Sequence, residues 1–307
     1  MTHYNRSTGW VHEFSGVIAA AVTPFAPDGS LDRARIPALV DLLVEHGADG
    51  IMVGGTTGEF VTMTPDERVG ALTTFVKAVS GRVPVVAHVG AADPYTTLKL
   101  TKAAARLNVD AVAAMTPQFF PATDAAIEKY FTDVSEAAPE IPLFVYEFPS
   151  RAGNTTSPRL LKRLSKLPNL AGIKVSSEHI KELMAYMECG PDMLVICGND
   201  DLQADFIAGG GRAVVSGNAT VYPEVSKAVF RALVNGAEGS AERTILADLG
   251  RLSLAGAPDR LKALLRDRGI DAGVARCRTH IPSDVQATGP LPQTIVALLD
   301  NLSVGHA

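Results

Sequence analysis

"HGADGIMVGG" (46–55), "RLNVDAVAAM" (106–115) and "AGGGRAVVSG" (208–217) are three phrases of similar build, each leading into an apolar, β-rich run. Their likeness points to a repeated β/α unit. Read outward from them, the chain shows eight such runs. They are "GVIAAAV" (16–22), "GIMVGG" (50–55), "VPVVAHV" (83–89), "DAVAAM" (110–115), "IPLFVY" (141–146), "LAGIKV" (170–175), "MLVICG" (193–198) and "RAVVSG" (212–217). Their near-continuous apolar character predicts parallel strands covered by helices. Helical patterns lie between them, such as "LDRARIPALVDLLVEHG" and "TPDERVGALTTFVKAVSG", each opening on a capping residue and closing at glycine. Eight units in about 220 residues favour a closed (β/α)₈ barrel over an open doubly wound sheet. No strand is followed by the G-x-G-x-x-G that a dinucleotide-binding fold would carry.

The predicted organisation has three parts: a loosely held extension over 1–15, the barrel over 16–235, and a helical region over 236–307. That last region is expected to pack on the barrel or on another subunit. Of the 307 residues 47% are apolar and 20% charged, the balance of a well-buried globular enzyme. A net charge of −5 and the lack of any Lys/Arg run argue against nucleic acid as a partner. No apolar run is long enough to span a membrane, and the start "MTHYNRSTGWVHEF" lacks a signal peptide's apolar core. Three cysteines, Cys189, Cys197 and Cys277, make neither a disulfide framework nor a zinc site and suit a cytoplasmic protein. No H-x-H or H-E-x-x-H occurs, so no metal site is expected.

In a barrel of this kind the working groups stand at the C-terminal ends of the strands. Lys174 ends the sixth run between Ile173 and Val175. Side chains alternate along a strand, so Lys174 points into the barrel while its neighbours face the helices. Desolvation there favours the neutral amine, which can capture a carbonyl as a Schiff base; a structural lysine paired with Glu147 or Asp200 is the alternative. Tyr146 lies 28 residues earlier, about one β/α unit, and would stand on the neighbouring strand as a proton-transferring phenol. After the second run, "GGTTGEF" (54–60) places Thr56 and Thr57 in a loop that can grip a carboxylate through hydroxyls and backbone N–H groups, or else simply turn into the next helix. Arg151, after a Pro-Ser turn, can bind a carboxylate bidentately or stand solvated. The triple glycine 209–211 precedes the eighth strand, on the face away from the site, and His88 is read as a satisfied core histidine.

With these residues assembled, the chain resembles the dihydrodipicolinate synthase and N-acetylneuraminate lyase family of class I, Schiff-base aldolases. The resemblance runs from about Gly16 to the final helices and rests on "GGTTGEF" (54–60), "VYEFPSRAGNTT" (145–156) and "GIKVSS" (172–177). It implies Lys174 as the Schiff-base lysine and Tyr146 as the proton-transferring phenol. It places Thr56 and Thr57 on the carboxylate of a bound 2-oxo acid, usually pyruvate, with backbone near Val215 lining the same pocket. It also implies a helical C-terminal domain and a homo-oligomer, dimer or tetramer.

Arg151 in "PSRAG" resembles the synthase branch, where an arginine would hold the carboxylate of the second substrate. Two positions depart from that branch. Phe119, in "TPQFFP", stands at or next to the position where that branch carries a tyrosine, whose hydroxyl would extend a relay from Thr57 and Tyr146 across a dimer interface. Glu147 replaces the usual asparagine after the tyrosine and would add a carboxylate to the pocket. The expected activity is covalent binding of pyruvate on Lys174, without metal or organic cofactor, followed by carbon–carbon bond chemistry with an aldehyde. Condensation with aspartate semialdehyde is the narrow expectation. A 2-keto-3-deoxy sugar-acid aldolase or dehydratase, or an N-acetylneuraminate lyase-like enzyme, is the runner-up. A non-catalytic 2-oxo-acid sensor is the reading from another class.

Overall fold

Both faces of every strand are apolar, and the structure buries both. The computed structural model describes residues 10–190, 192–277 and 290–304. Its strands are β1 (Gly16–Ala20), β2 (Gly50–Val53), β3 (Val85–His88), β4 (Ala111–Met115), β5 (Leu143–Glu147), β6 (Leu170–Val175), β7 (Leu194–Cys197) and β8 (Ala213–Ser216). They pair in parallel and in chain order, and β1 also pairs with β8, so the sheet closes. The expected (β/α)₈ barrel is the fold. Ile18, Met52, Val86, Phe144, Ile196 and Val215 fill the interior as one cluster. Val17, Ile51, Val145, Ile173 and Val175 face outward into a second cluster shared with the helices.

The repeated phrases have a physical job at the lower end of the barrel. Asp49, just before β2, accepts a hydrogen bond from Val17 N at 2.8 Å, and Asp110, before β4, accepts one from Val85 N at 2.8 Å. Gly16 leaves room for this: a Cβ there would lie 2.3 Å from the Asp49 carboxylate. Arg212, before β8, donates to Phe14 O at 2.6 Å and Val11 O at 3.2 Å. Through those bonds the helical turn Trp10–Glu13 is drawn against the barrel, and Val11 is buried with the interior cluster. This part of the expected extension is packed rather than loose, and residues 1–9 lie outside the described residues.

The helix Pro65–Val79 shows how locally the sequence sets its elements. Thr64 and Glu67 form a capping box, and Pro65 occupies the first turn, where its missing N–H costs nothing. It ends on Ser80 in the left-handed region (φ 50), one residue before the glycine expected to stop it. Three helices follow β8 and its own helix: Ser240–Ser253, Pro258–Asp267 and Gln293–Val304. Leu246, Leu249, Leu261, Leu264 and Ile295 bury into the outer cluster, so this region packs on the barrel. Residues 278–289 and 305–307 of the predicted helical region lie outside the described residues.

Candidate active site

Strand alternation brings Lys174 and Tyr146 together. They are register partners on β6 and β5, and both point inward at the upper mouth. Lys174 is 6% and Tyr146 3% exposed, and the Lys174 Nζ stands 3.7 Å from the centre of the Tyr146 ring. Room for the amine comes from Gly198, just past β7: a Cβ there would sit 2.4 Å from Lys174 Cε and 2.8 Å from Nζ. Nζ donates to Ser176 Oγ at 2.6 Å, so its partner is a hydroxyl rather than Glu147 or Asp200. Neither Ser176 nor Gly198 was singled out by sequence. Ser176 had a signal, since it lies two residues beyond Lys174 and shares its side of the chain; Gly198 had none.

The "GGTTGEF" loop arches over the mouth. Thr23 Oγ1 donates to Gly58 O at 2.8 Å, which ties the loop to the chain after β1. Thr56 Oγ1 lies 3.1 Å from the Tyr146 hydroxyl. Thr57 faces β8 instead, with its Oγ1 close to Gly217. The hydroxyl that meets Tyr146 is thus that of Thr56 and not, as expected, that of Thr57, because the loop turns the two side chains apart. Burial pushes the Tyr146 phenol up, but the charge of Lys174 and hydrogen bonds from Lys174, Thr56 and Ser176 outweigh it, leaving the phenol below the usual tyrosine range.

Glu147 does not enter the pocket. On β5 it faces away from Tyr146, is 1% exposed, and accepts hydrogen bonds from Thr155 Oγ1 and, at 2.8 Å, from Thr156 N. Burial raises its carboxyl above the usual range. Its place among the substrate-binding residues is thus corrected: the same alternation that aims Tyr146 inward aims Glu147 outward, where it pins the following loop.

Asp200 is also turned from Lys174, accepting from Ser216 Oγ at 3.0 Å and Asn218 Nδ2 at 2.6 Å. Burial lifts its carboxyl to about 6, against the lowering effect of hydrogen bonds from Ser216 and Gln203. A carboxyl whose folded-state pKa is raised stabilises the fold while protonated. That contribution, about 3 kcal/mol, is complete below about pH 4 and lost as pH rises through about 6. Thermal melts should show Asp200→Asn without this loss, so the variant gains on the wild type between about pH 4 and about pH 7.

The outer mouth carries the remaining predicted residues. Phe148 leans over the site, its ring 6.1 Å from that of Tyr146 and 5.8 Å from Lys174 Nζ. Arg151, exposed on the short helix Pro149–Ala152, has its guanidinium 5.9 Å from the Phe148 ring. Val215 lies on the inner face of β8. Phe119 does not line this pocket within the chain: it is 84% exposed, in the left-handed region (φ 76), against Phe120.

His88 is buried behind Tyr146, with ring centroids 5.6 Å apart, and its Nδ1 lies 2.9 Å from Gly54 O. Burial, then the nearby Arg68 charge, holds it well below the usual histidine range, so it is a neutral ring that donates to Gly54. Arg68 itself donates to Gly90 O at 2.8 Å and His88 O at 2.7 Å. These two side chains brace the tyrosine from behind.

A barrel whose mouth holds an inward lysine, a phenol at its side and a Gly-Thr-Thr-Gly loop above can be set beside known proteins. The family model described as "Dihydrodipicolinate synthetase family" matches residues 13–284. A 4-hydroxy-tetrahydrodipicolinate synthase of an Exiguobacterium species is 33% identical over 267 residues, covering 86% of this chain and 91% of the relative. A dihydrodipicolinate synthase of Bacillus anthracis superposes with a TM-score of 0.82 at 28% identity, covering 94% of this chain and 98% of that one. A sialic acid aldolase of Ruminococcus gnavus gives a TM-score of 0.87 at 23% identity over the same shares, a likeness of fold. The chain belongs to the dihydrodipicolinate synthetase family.

Proposed function

We propose that this protein is a class I lyase that binds pyruvate covalently on Lys174 and joins its methyl carbon to an aldehyde. The observation that carries the reading is the inward Lys174 amine against the Tyr146 ring. Lys174 gives up a proton, and attack of the freed Nζ on the keto carbon forms the C–N bond. One proton passes from nitrogen to the former keto oxygen, the proton first given up by the amine joins it there, and the oxygen leaves as water to give a protonated imine. Tyr146, hydrogen-bonded to Thr56, is the group we assign to carry these protons. Loss of a methyl proton gives an enamine that attacks the aldehyde carbon, and the new alkoxide takes up the proton. No metal or organic cofactor is needed, because the imine itself is the electron sink.

The aldehyde we favour is aspartate semialdehyde, which makes the reaction that of a 4-hydroxy-tetrahydrodipicolinate synthase. The curated relatives bearing that name and the position of Arg151 at the mouth support it. Turnover of pyruvate with aspartate semialdehyde, compared with cleavage of a 2-keto-3-deoxy sugar acid, tests the choice. Arg151→Ala should raise the KM for the semialdehyde about 10- to 100-fold, the value of one charged hydrogen-bonded contact, and leave pyruvate capture unchanged.

The sugar-acid aldolase remains the second reading through Phe119, which brings no hydroxyl to a relay. Glu147 no longer speaks for it, since its carboxylate lies outside the pocket. We place the protein in the cytoplasm, as a homo-oligomer. Tyr95, exposed in the first turn of the helix Pro94–Arg106, and Phe119 and Phe120, exposed after β4, support a partner subunit. Among the described residues no helix is long and apolar enough to cross a membrane.

A further inference from the structure

The loop that carries Thr56 and Thr57 holds a carboxylate of its own. Glu59 is 1% exposed and sits in the left-handed region (φ 58), with its amide donating to Thr56 O at 3.0 Å. Its Oε1 accepts from Lys262 Nζ at 2.7 Å and its Oε2 from Cys277 N at 2.6 Å. Lys262 is 1% exposed, comes from the helix Pro258–Asp267, and also donates to Val274 O at 2.7 Å. Nearby, Arg276 donates to Thr62 O at 2.8 Å, so the region after the barrel grips the loop at two points.

A buried ion pair is by itself weak evidence of stability, because desolvation offsets the attraction. Its place says more. Through its amide Glu59 is bonded to Thr56, in the turn proposed to receive the carboxylate of a 2-oxo acid, and carboxylates brought near one another without screening repel. We propose that Lys262 is a positioning residue of the oxo-acid site: by neutralising Glu59 it lets the Thr56–Thr57 turn accept the substrate's carboxylate. Burial lowers the Lys262 ammonium pKa and Glu59 opposes that, in keeping with a cation held there by its partner. The inference rests on the reading of Thr56 and Thr57 given above.

The test measures half-saturation by pyruvate in borohydride capture, read by intact mass. Lys262→Met should raise the half-saturating concentration about tenfold at about pH 8. Repeated at about pH 6, the rise should be smaller, because acid weakens the charge of a carboxylate buried without its cation. Glu59→Gln, which keeps a hydrogen-bonding oxygen but leaves Lys262 unneutralised, should shift half-saturation to lower pyruvate. The double variant E59Q/K262M should lose the pH dependence.

Half-saturation unchanged in Lys262→Met at both pH values, with only a lower Tm, would overturn the proposal. If Lys262→Met does not fold, Glu59→Gln decides alone: a fall supports the proposal, and no change or a rise overturns it. A wild-type protein that captures no pyruvate would overturn the functional reading as well. Capture by the wild type with indifferent variants would overturn this inference only.

Discussion

Lys174→Ala is expected to abolish capture of pyruvate by borohydride and to lower kcat/KM by at least about 10⁴-fold, since the covalent intermediate has no other home. Among the described residues, Lys174 is the amine set against the Tyr146 ring. The next lysine along the chain, Lys181, starts the helix Ile180–Met187 on the outside of the barrel. Loss of the side chain leaves a small space beside Gly198, Tyr146 and Ser176, all of which keep their backbone partners. Folding is therefore expected to survive, and the melting temperature separates lost chemistry from lost structure. A variant that melts like the wild type but keeps catalysing would remove Lys174 from the mechanism.

Tyr146→Phe should cost about 10²- to 10⁴-fold in kcat, the usual value of one positioned proton carrier, with far less effect on pyruvate half-saturation. The adduct should still form, slowly, because the amine is untouched. The pH profile adds a second readout. The phenol lies below the usual tyrosine range because the charge and hydrogen bonds around it outweigh its burial. A neutral phenol must be present to donate, so activity should decline as pH rises through its depressed pKa, and Tyr146→Phe should lack that limb. Thr56→Val should move the limb upward, since it removes one hydrogen bond that favours the phenolate.

The barrel was legible because its strands are buried on both faces and so read as unbroken apolar runs. Lys174 stood out because it interrupts one of them, and Tyr146 because one β/α unit separates adjacent strands. What stayed hidden depends on geometry between elements. Gly198 makes room for the amine from the next strand along, and nothing near it in the chain says so. The exchange of roles between Thr56 and Thr57 turns on the conformation of one short loop. Lys262 lies 203 positions from the carboxylate it neutralises. Glu147 is the instructive case. Alternation from Tyr146 already placed it on the outer face, yet its novelty as a carboxylate suggested a pocket role that the fold denies.

The most direct measurement is reduction of the wild-type protein with borohydride in the presence of pyruvate, followed by peptide mass spectrometry. The account predicts a gain of one reduced pyruvyl group, confined to the peptide that contains Lys174. An unmodified Lys174 at saturating pyruvate, or the same gain on another lysine, would contradict it.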